Sequence, residues 1–257
     1  TGGGRGIGAA ICRALAASGA HVAFTSFTAY DASMYQSDTS DPQRLQEELR
    51  DLGMPAIEIP WDLEDASRLP ALLDRVEDEL GPLSILVNNA AYSTHDGWEA
   101  LDAEQIDRHL AVNARATALL SVEFCRRFDR GSGGRIINFS SGQHLGPMPD
   151  ELAYAMSKAA IVTFTQSLAP AVMGQGITVN AVSPGMYPLP DDDPYAGVIP
   201  GRGKFDPEKR ARMNAQTPAG RVGAPVDLGG AVAFLASPAA AFITGQNLAV
   251  DGGWTVW

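Results

Sequence analysis

At 257 residues, with 45% hydrophobic content and 27 glycines, the chain suits one large α/β domain with many tight turns, or at most two small domains. A formal net charge of −11 argues against a phosphate-backbone partner, so no nucleic acid is expected, and it gives little pull toward anionic membranes. No apolar run approaches the roughly eighteen residues a bilayer crossing needs and no charged-then-apolar leader is visible, so a soluble, cytoplasmic protein is expected.

In chain order, Ile7, Ala10, Ile11, Ala14 and Leu15 recur at helical spacing behind a glycine-rich start, and Gly19 closes that helix. Residues 20–27 read as a strand. Asp41-Pro42 reads as an N-cap and first helical position, with Leu45, Leu49 and Leu52 on one face and Gly53 beyond the end. A strand over 56–61, a helix over 69–80 stopped by Gly81-Pro82, and a strand over 85–88 follow. Asp102 reads as the cap of a long helix running to about residue 128. Then come a strand at 135–140, a helix at 152–173 containing Pro170, a strand at 177–182, a helix at 226–236 and a last strand at 246–250. Strands separated by helices in this rhythm predict βαβ units, a parallel sheet covered on both faces, and one domain over 1–257. Cys12 and Cys125 fall at helical spacing and read as buried or half-buried thiols in a reducing compartment.

Residues 186–220 break the rhythm with Pro188, Pro190, Pro194, Pro200 and Pro207, and with Asp191, Asp192 and Asp193 in a row. A flap over the substrate is expected there, with a short helix at 207–216. The acidic triplet reads as a solvated run, and no metal site is expected.

Thr1-Gly2-Gly3-Gly4-Arg5-Gly6-Ile7-Gly8 opens directly into a helix. Glycines let the backbone turn sharply and approach a pyrophosphate, while the helix supplies free N–H groups and a positive dipole end. A plain glycine loop is the competing reading of this segment alone. Such a unit normally has a strand before the turn, so an apolar strand upstream of Thr1 is expected. The predicted fold class is therefore a Rossmann-type doubly wound parallel sheet whose first strand lies before Thr1.

Tyr154 and Lys158 stand four residues apart, on one face of a helix. A nearby cation favours the phenolate and lowers the phenol's pKa from its ordinary value near 10, which equips it for general acid/base work. Ser141 follows the strand at 135–140, at the strand ends where parallel sheets bind ligands; alone it reads as a turn or cap serine.

Taken together, these residues resemble the short-chain dehydrogenase/reductase family, along the whole chain and in order. Thr1 to Gly8 resembles its TGxxxGIG turn, Asn88-Asn89-Ala90-Ala91 its NNAG motif, Asn113 its helix asparagine, and Ser141, Tyr154 and Lys158 its catalytic set. Ser183-Pro184-Gly185 resembles the segment beside the nicotinamide, and Thr244-Gly245-Gln246 with Val250-Asp251-Gly252-Gly253 its C-terminal signature. The resemblance is closest to the 3-oxoacyl-(acyl carrier protein) reductase-like branch. It implies that Tyr154 is the acid/base, Ser141 orients the substrate oxygen, Lys158 lowers the tyrosine pKa and holds the ribose, and Asn113 positions a water. It implies cofactor contacts at Gly2, Gly4, Arg5, Gly6, Ile7, Gly8, Ser26, Asp62, Leu63, Asn89, Ala90, Tyr154, Lys158, Pro184 and Gly185, and places Asn88 along the adenosine ribose. It implies a homo-oligomer, a tetramer by resemblance. Two departures are Ala91 in place of the last NNAG glycine, and Tyr187, Pro188 and Leu189 where a threonine is usual after Pro184-Gly185.

NADP(H) is favoured over NAD(H), because the strand end at Phe24-Thr25-Ser26-Phe27-Thr28 has no carboxylate until Asp31 and Arg5 can pair with a phosphate. Ser141, Gln143, His144, Tyr154, Met186 and Tyr187 are expected to border the pocket of a small carbonyl or alcohol substrate. Trp98, Trp254 and Trp257 read as packing residues, and the apolar end at 254–257 as a candidate for a subunit interface. Two rivals stay open: an NAD(P)-dependent alcohol or sugar dehydrogenase working oxidatively, and an NADP(H)-binding protein without catalysis. A serine hydrolase built on Ser141 lacks a Gly-x-Ser-x-Gly elbow.

Overall fold

The computed structural model describes residues 1–35, 41–142, 147–185, 198–199, 203–204 and 207–256. Helix α1 (Gly6–Ala17) runs straight out of the glycine turn, and Gly19 leaves it at φ +87°. Strand β1 (Val22–Ser26) is followed by a helix that the apolar pattern does not predict, α2 (Thr28–Tyr35). Helix α3 (Asp41–Asp51) buries Leu45 and Leu49, as their spacing requires. Strand β2 (Ala56–Pro60) pairs parallel to β1, from Val22 opposite Ala56 to Ser26 opposite Pro60. Helix α4 (Leu69–Leu80) leads to β3 (Ile85–Asn88).

The single long helix expected after Asp102 forms with an interruption. The short α5 (Gly97–Ala100) comes first, then α6 (Ala103–His109), a π turn at Leu110–Ala116 and α7 (Thr117–Arg127). Asp102 does cap α6, accepting the Gln105 N–H at 2.8 Å. Strand β4 (Gly134–Phe139) and helix α8 (Leu152–Val172) follow. Pro170 lies in the last turn of α8, so it forfeits one intrahelical bond only near the helix end, three turns beyond Lys158. Strand β5 (Ile177–Pro184) precedes a two-residue antiparallel pair, β6 (Val198–Ile199) and β7 (Gly203–Lys204). Helix α9 (Pro207–Gln216), α10 (Pro225–Ala236) and β8 (Asn247–Val250) complete the order.

Strands β3, β4, β5 and β8 pair in that order, all parallel. Side chains alternate across a strand, and the core divides accordingly. Ile136 and Val179 face one way, onto Leu72 of α4, Leu120 and Phe124 of α7 and Val172 of α8. Ile137, Phe139 and Val182 face the other way, onto Ile11 of α1 and Leu228, Val232 and Leu235 of α10. Each such fully buried side chain contributes roughly 1.5–3 kcal/mol. Helices thus cover both faces, as a doubly wound sheet requires.

Between β1 and β3 lies a cavity of about 540 Å³, lined among others by Val22, Phe24, Ile59, Leu72, Ile85 and Val87. Thr1 to Gly3 crosses its mouth. Thr1 N donates to Val87 O at 2.6 Å, Gly2 N to Thr25 Oγ1 at 2.9 Å and Gly3 N to Thr25 O at 2.9 Å.

Among the described residues no helix is long and apolar enough to cross a membrane. Trp98 corrects one expectation: it is 79% exposed rather than packed, because the four-residue α5 lies on the surface. Trp254 is half-buried, and Trp257 lies outside the described residues.

Candidate active site

The first N–H groups of α1 have no intrahelical acceptor, and Arg5 at its N-cap makes no side-chain capping bond. The turn before it tolerates only glycine where it folds back on itself. A Cβ on Gly8 would stand 1.9 Å from Gly2 O, and one on Gly2 would stand 2.8 Å from Ala90 Cα. The turn is bonded to the loop after β3: the Asn89 and Ala90 N–H groups reach Thr1 Oγ1 at 3.2 and 3.1 Å. The Asn89 amide also donates to Thr1 O at 3.2 Å and Gly2 O at 2.9 Å. Gly2, Gly4, Gly6, Ile7 and Gly8 therefore form a cradle at the carboxyl ends of β1 and β3. Free N–H groups, a positive helix end and no projecting side chains fit a pyrophosphate.

At the end of β1, Ser26 is buried and its hydroxyl donates to the Glu58 carboxylate. Asp62, just past β2, accepts the Glu64 N–H at 2.9 Å, while the Leu63 side chain packs into the core. Helix α2 brings Asp31 back against the glycine turn, where its carboxylate lies 2.8 Å from Arg5 Nε. Asn88 requires a correction. Its side chain points into the interior and donates to Ser121 Oγ at 3.1 Å and Asn138 Oδ1 at 2.9 Å, so it does not run along a ribose. The second asparagine of the pair, Asn89, is the one at the cradle.

On α8, Lys158 Nζ stands 5.5 Å from the centre of the Tyr154 ring and donates to Phe139 O at 2.9 Å. Lys158 is 3% exposed, and burial pulls its pKa down to about 7. Asn113 sits in the π turn, a helix irregularity common at functional sites. Its amide accepts the Tyr92 N–H at 2.7 Å and donates to Tyr92 O at 2.8 Å and Ser157 Oγ at 2.9 Å. Asn113 thereby ties the loop after β3 to the helix that carries Tyr154.

His109 lies edge-on to Tyr92 (centroids 4.8 Å apart) and to Tyr154 (6.5 Å). Its Nε2 accepts the Thr94 N–H and its Nδ1 stands 2.7 Å from Gln105 O, so the proton sits on Nδ1. Burial holds its pKa below the usual histidine value, which keeps the ring neutral.

Ser141 follows β4 by two residues, and Pro184 ends β5 with Gly185 beside it. Gly185 N donates to Val250 O at 3.2 Å, and a Cβ there would meet Asp251 at 2.6 Å. The cradle, Ser141, Pro184 and Gly185 thus share the carboxyl ends of the strands. Gln143, His144, Met186 and Tyr187 lie outside the described residues.

A family model described as enoyl-(acyl carrier protein) reductase matches residues 2–255. The chain is 42% identical to the uncharacterized oxidoreductase YjdA of Bacillus subtilis, over 96% of this chain and 91% of that protein. It is 34% identical to the 3-oxoacyl-(acyl-carrier-protein) reductase FabG of Vibrio cholerae, over 98% and 94%. A short chain dehydrogenase from Burkholderia cenocepacia, solved in complex with NADP, superposes with a TM-score of 0.82 at 34% identity, over 98% of this chain and 95% of that one. The chain belongs to the short-chain dehydrogenase/reductase family. This short-chain dehydrogenase/reductase is an oxidoreductase acting on hydroxyl or carbonyl groups.

Spacing along the sequence cannot show three contributors to its site. Asp31 reaches Arg5 only because α2 folds back. His109 is set among aromatic rings by the π turn. Asp96 meets α8 across more than fifty residues of chain. None belongs to a local motif, so no signal in the sequence marks them.

Proposed function

We propose that this short-chain dehydrogenase/reductase reduces a small-molecule carbonyl to a secondary alcohol with NADP(H), in the manner of a 3-oxoacyl reductase. The observation that carries the reading is the buried Lys158 ammonium set against the Tyr154 ring, one helical turn away. When bound, the reduced nicotinamide supplies the hydride. The Tyr154 phenol gives its proton to the substrate oxygen, and the neighbouring cation stabilises the phenolate left behind. Ser141 orients that oxygen. Lys158 would hold the nicotinamide ribose, and Asn113 keeps the loop and α8 in register. In the oxidative direction the same phenolate takes the alcohol proton, so a dehydrogenase role uses the identical side chains.

The cofactor preference for NADP(H) rests on Arg5 in the cradle and on the absence of a carboxylate from the residues 27–28 that leave β1. The NADP complex of the Burkholderia relative supports it. Gln143, His144, Met186 and Tyr187 are proposed to border the substrate beside Ser141 and Tyr154. The two free cysteines fit a cytoplasmic setting. A homotetramer fits the exposed apolar residues near β8, namely Phe242 (97% exposed), Phe234 and Leu248, which a second copy of this chain would cover.

The test is a panel of ketones, 3-oxoacyl thioesters and secondary alcohols, followed by nicotinamide absorbance. Turnover of at least one carbonyl with NADPH is expected. Tight NADPH binding without turnover on any member would refute the catalytic reading.

A further inference from the structure

Helix α8 carries both Tyr154 and Lys158, yet it has no cap of its own. Glu151 at the N-cap position makes no side-chain bond to the first turn, and no acidic residue follows in that turn. The acceptors come instead from Asp96, in the loop between β3 and α5. Asp96 Oδ1 accepts the Leu152 N–H at 2.8 Å, and Oδ2 accepts the Ala153 N–H at 2.9 Å. The Asp96 N–H in turn donates to Asp150 O at 3.1 Å, and the residue is 6% exposed. Both oxygens of one buried carboxylate are thus committed to the first two N–H groups of the helix, and the next residue along is Tyr154. Hydrogen bonds to an ionised acceptor are about twice as strong as neutral ones, and a negative charge at this helix end is further favoured by the helix dipole.

We infer that Asp96 is the positioning residue for Tyr154: it fixes the first turn of α8 against the loop that carries Asn89 and Ala90. The inference rests on Tyr154 being the proton donor and adds the residue that sets where its hydroxyl stands. Among the described residues two sets of side-chain hydrogen bonds fasten the loop to α8, from Asp96 at Leu152 and Ala153 and from Asn113 between Tyr92 and Ser157, while His95 Nδ1 also lies 3.5 Å from Glu151 Oε1 at the N-cap. Lys158 is held separately, by Phe139 O. Loss of Asp96 therefore loosens the turn bearing Tyr154 and leaves the second fastening, Lys158 and the glycine cradle in place. That asymmetry distinguishes positioning from general support of the fold.

The experiment compares wild type with Asp96→Ala, Asp96→Asn and the double variant Asp96→Ala/Glu151→Asp, which supplies a cap from the helix's own N-cap position. For Asp96→Ala, kcat falls about tenfold, while the NADPH dissociation constant stays within about twofold. Amide exchange quickens at 152–155 and stays unchanged at 158–165. Asp96→Asn keeps one acceptor and falls between, and it serves alone if the alanine variant does not fold. The local cap in the double variant restores most of kcat. Unchanged kcat and unchanged exchange in Asp96→Ala would overturn the inference, as would a parallel loss of kcat and cofactor affinity that Glu151→Asp does not rescue. If the wild type turns over no substrate, the functional reading fails, and the exchange data alone decide the role of Asp96.

Discussion

The Lys158 ammonium, one helical turn from Tyr154, gives its hydrogen bond to a backbone carbonyl, Phe139 O, rather than to a carboxylate. A cation buried with only a carbonyl for company is costly, which is why its pKa falls to about 7. The same arrangement aims its field at the phenol instead of cancelling it in an ion pair.

A stability signature follows. Between about pH 7 and the unfolded lysine value near 10.5, the unfolded chain holds a proton that the folded chain lacks, so wild-type stability climbs with pH in that window. Lys158→Met has no such slope. In cofactor-free protein at pH 6 the variant should melt higher by about 3 °C or more, and the gap should close toward pH 10. Thermal melts across pH check this, and a gap that ignores pH would show that Lys158 is not buried as a cation.

The Arg5–Asp31 pair bears on cofactor choice. A 2′-phosphate must compete with the Asp31 carboxylate for the guanidinium, so Asp31→Asn should raise the ratio of NADPH to NADH affinity, by about fivefold to tenfold. Arg5→Gln should erase most of the preference. Fluorescence titrations with both cofactors measure it; a ratio insensitive to both changes would place the phosphate elsewhere.

The glycine cradle gives a steric prediction. A methyl group at Gly8 would lie 1.9 Å from Gly2 O, so Gly8→Ala forces the turn open. A loss of about 1–3 kcal/mol of stability is expected, with cofactor affinity down by at least about tenfold. Denaturant unfolding and NADPH titration test the two effects separately, and native affinity in this variant would exclude the cradle as the pyrophosphate seat.

Much of this was legible in the chain because local rules act on it. Leu45 and Leu49 carry a helical stripe, Asp102 caps, Gly19 stops, and Tyr154 and Lys158 share a face by spacing alone. What stayed hidden depends on tertiary contact. Helix α2 has no apolar stripe to announce it, so nothing in the sequence links Asp31 to the glycine turn. The π turn at Asn113 is invisible to a 3.6-residue period, and Asp96 caps a helix far along the chain. The resemblance put Asn88 along the ribose, yet adjacent positions point to opposite faces at a strand end, and only the fold shows which one turns inward. Trp98 read as core from its side chain alone, whereas it lies on a surface helix.

Tyr154→Phe removes one oxygen atom and keeps the ring packed against His109. Steady-state turnover on a substrate found in the panel, measured beside NADPH binding by the same protein sample, should fall by about a thousandfold, with the dissociation constant within about threefold. Turnover equal to wild type would contradict the role given to the phenol, and with it the chemistry proposed for this site.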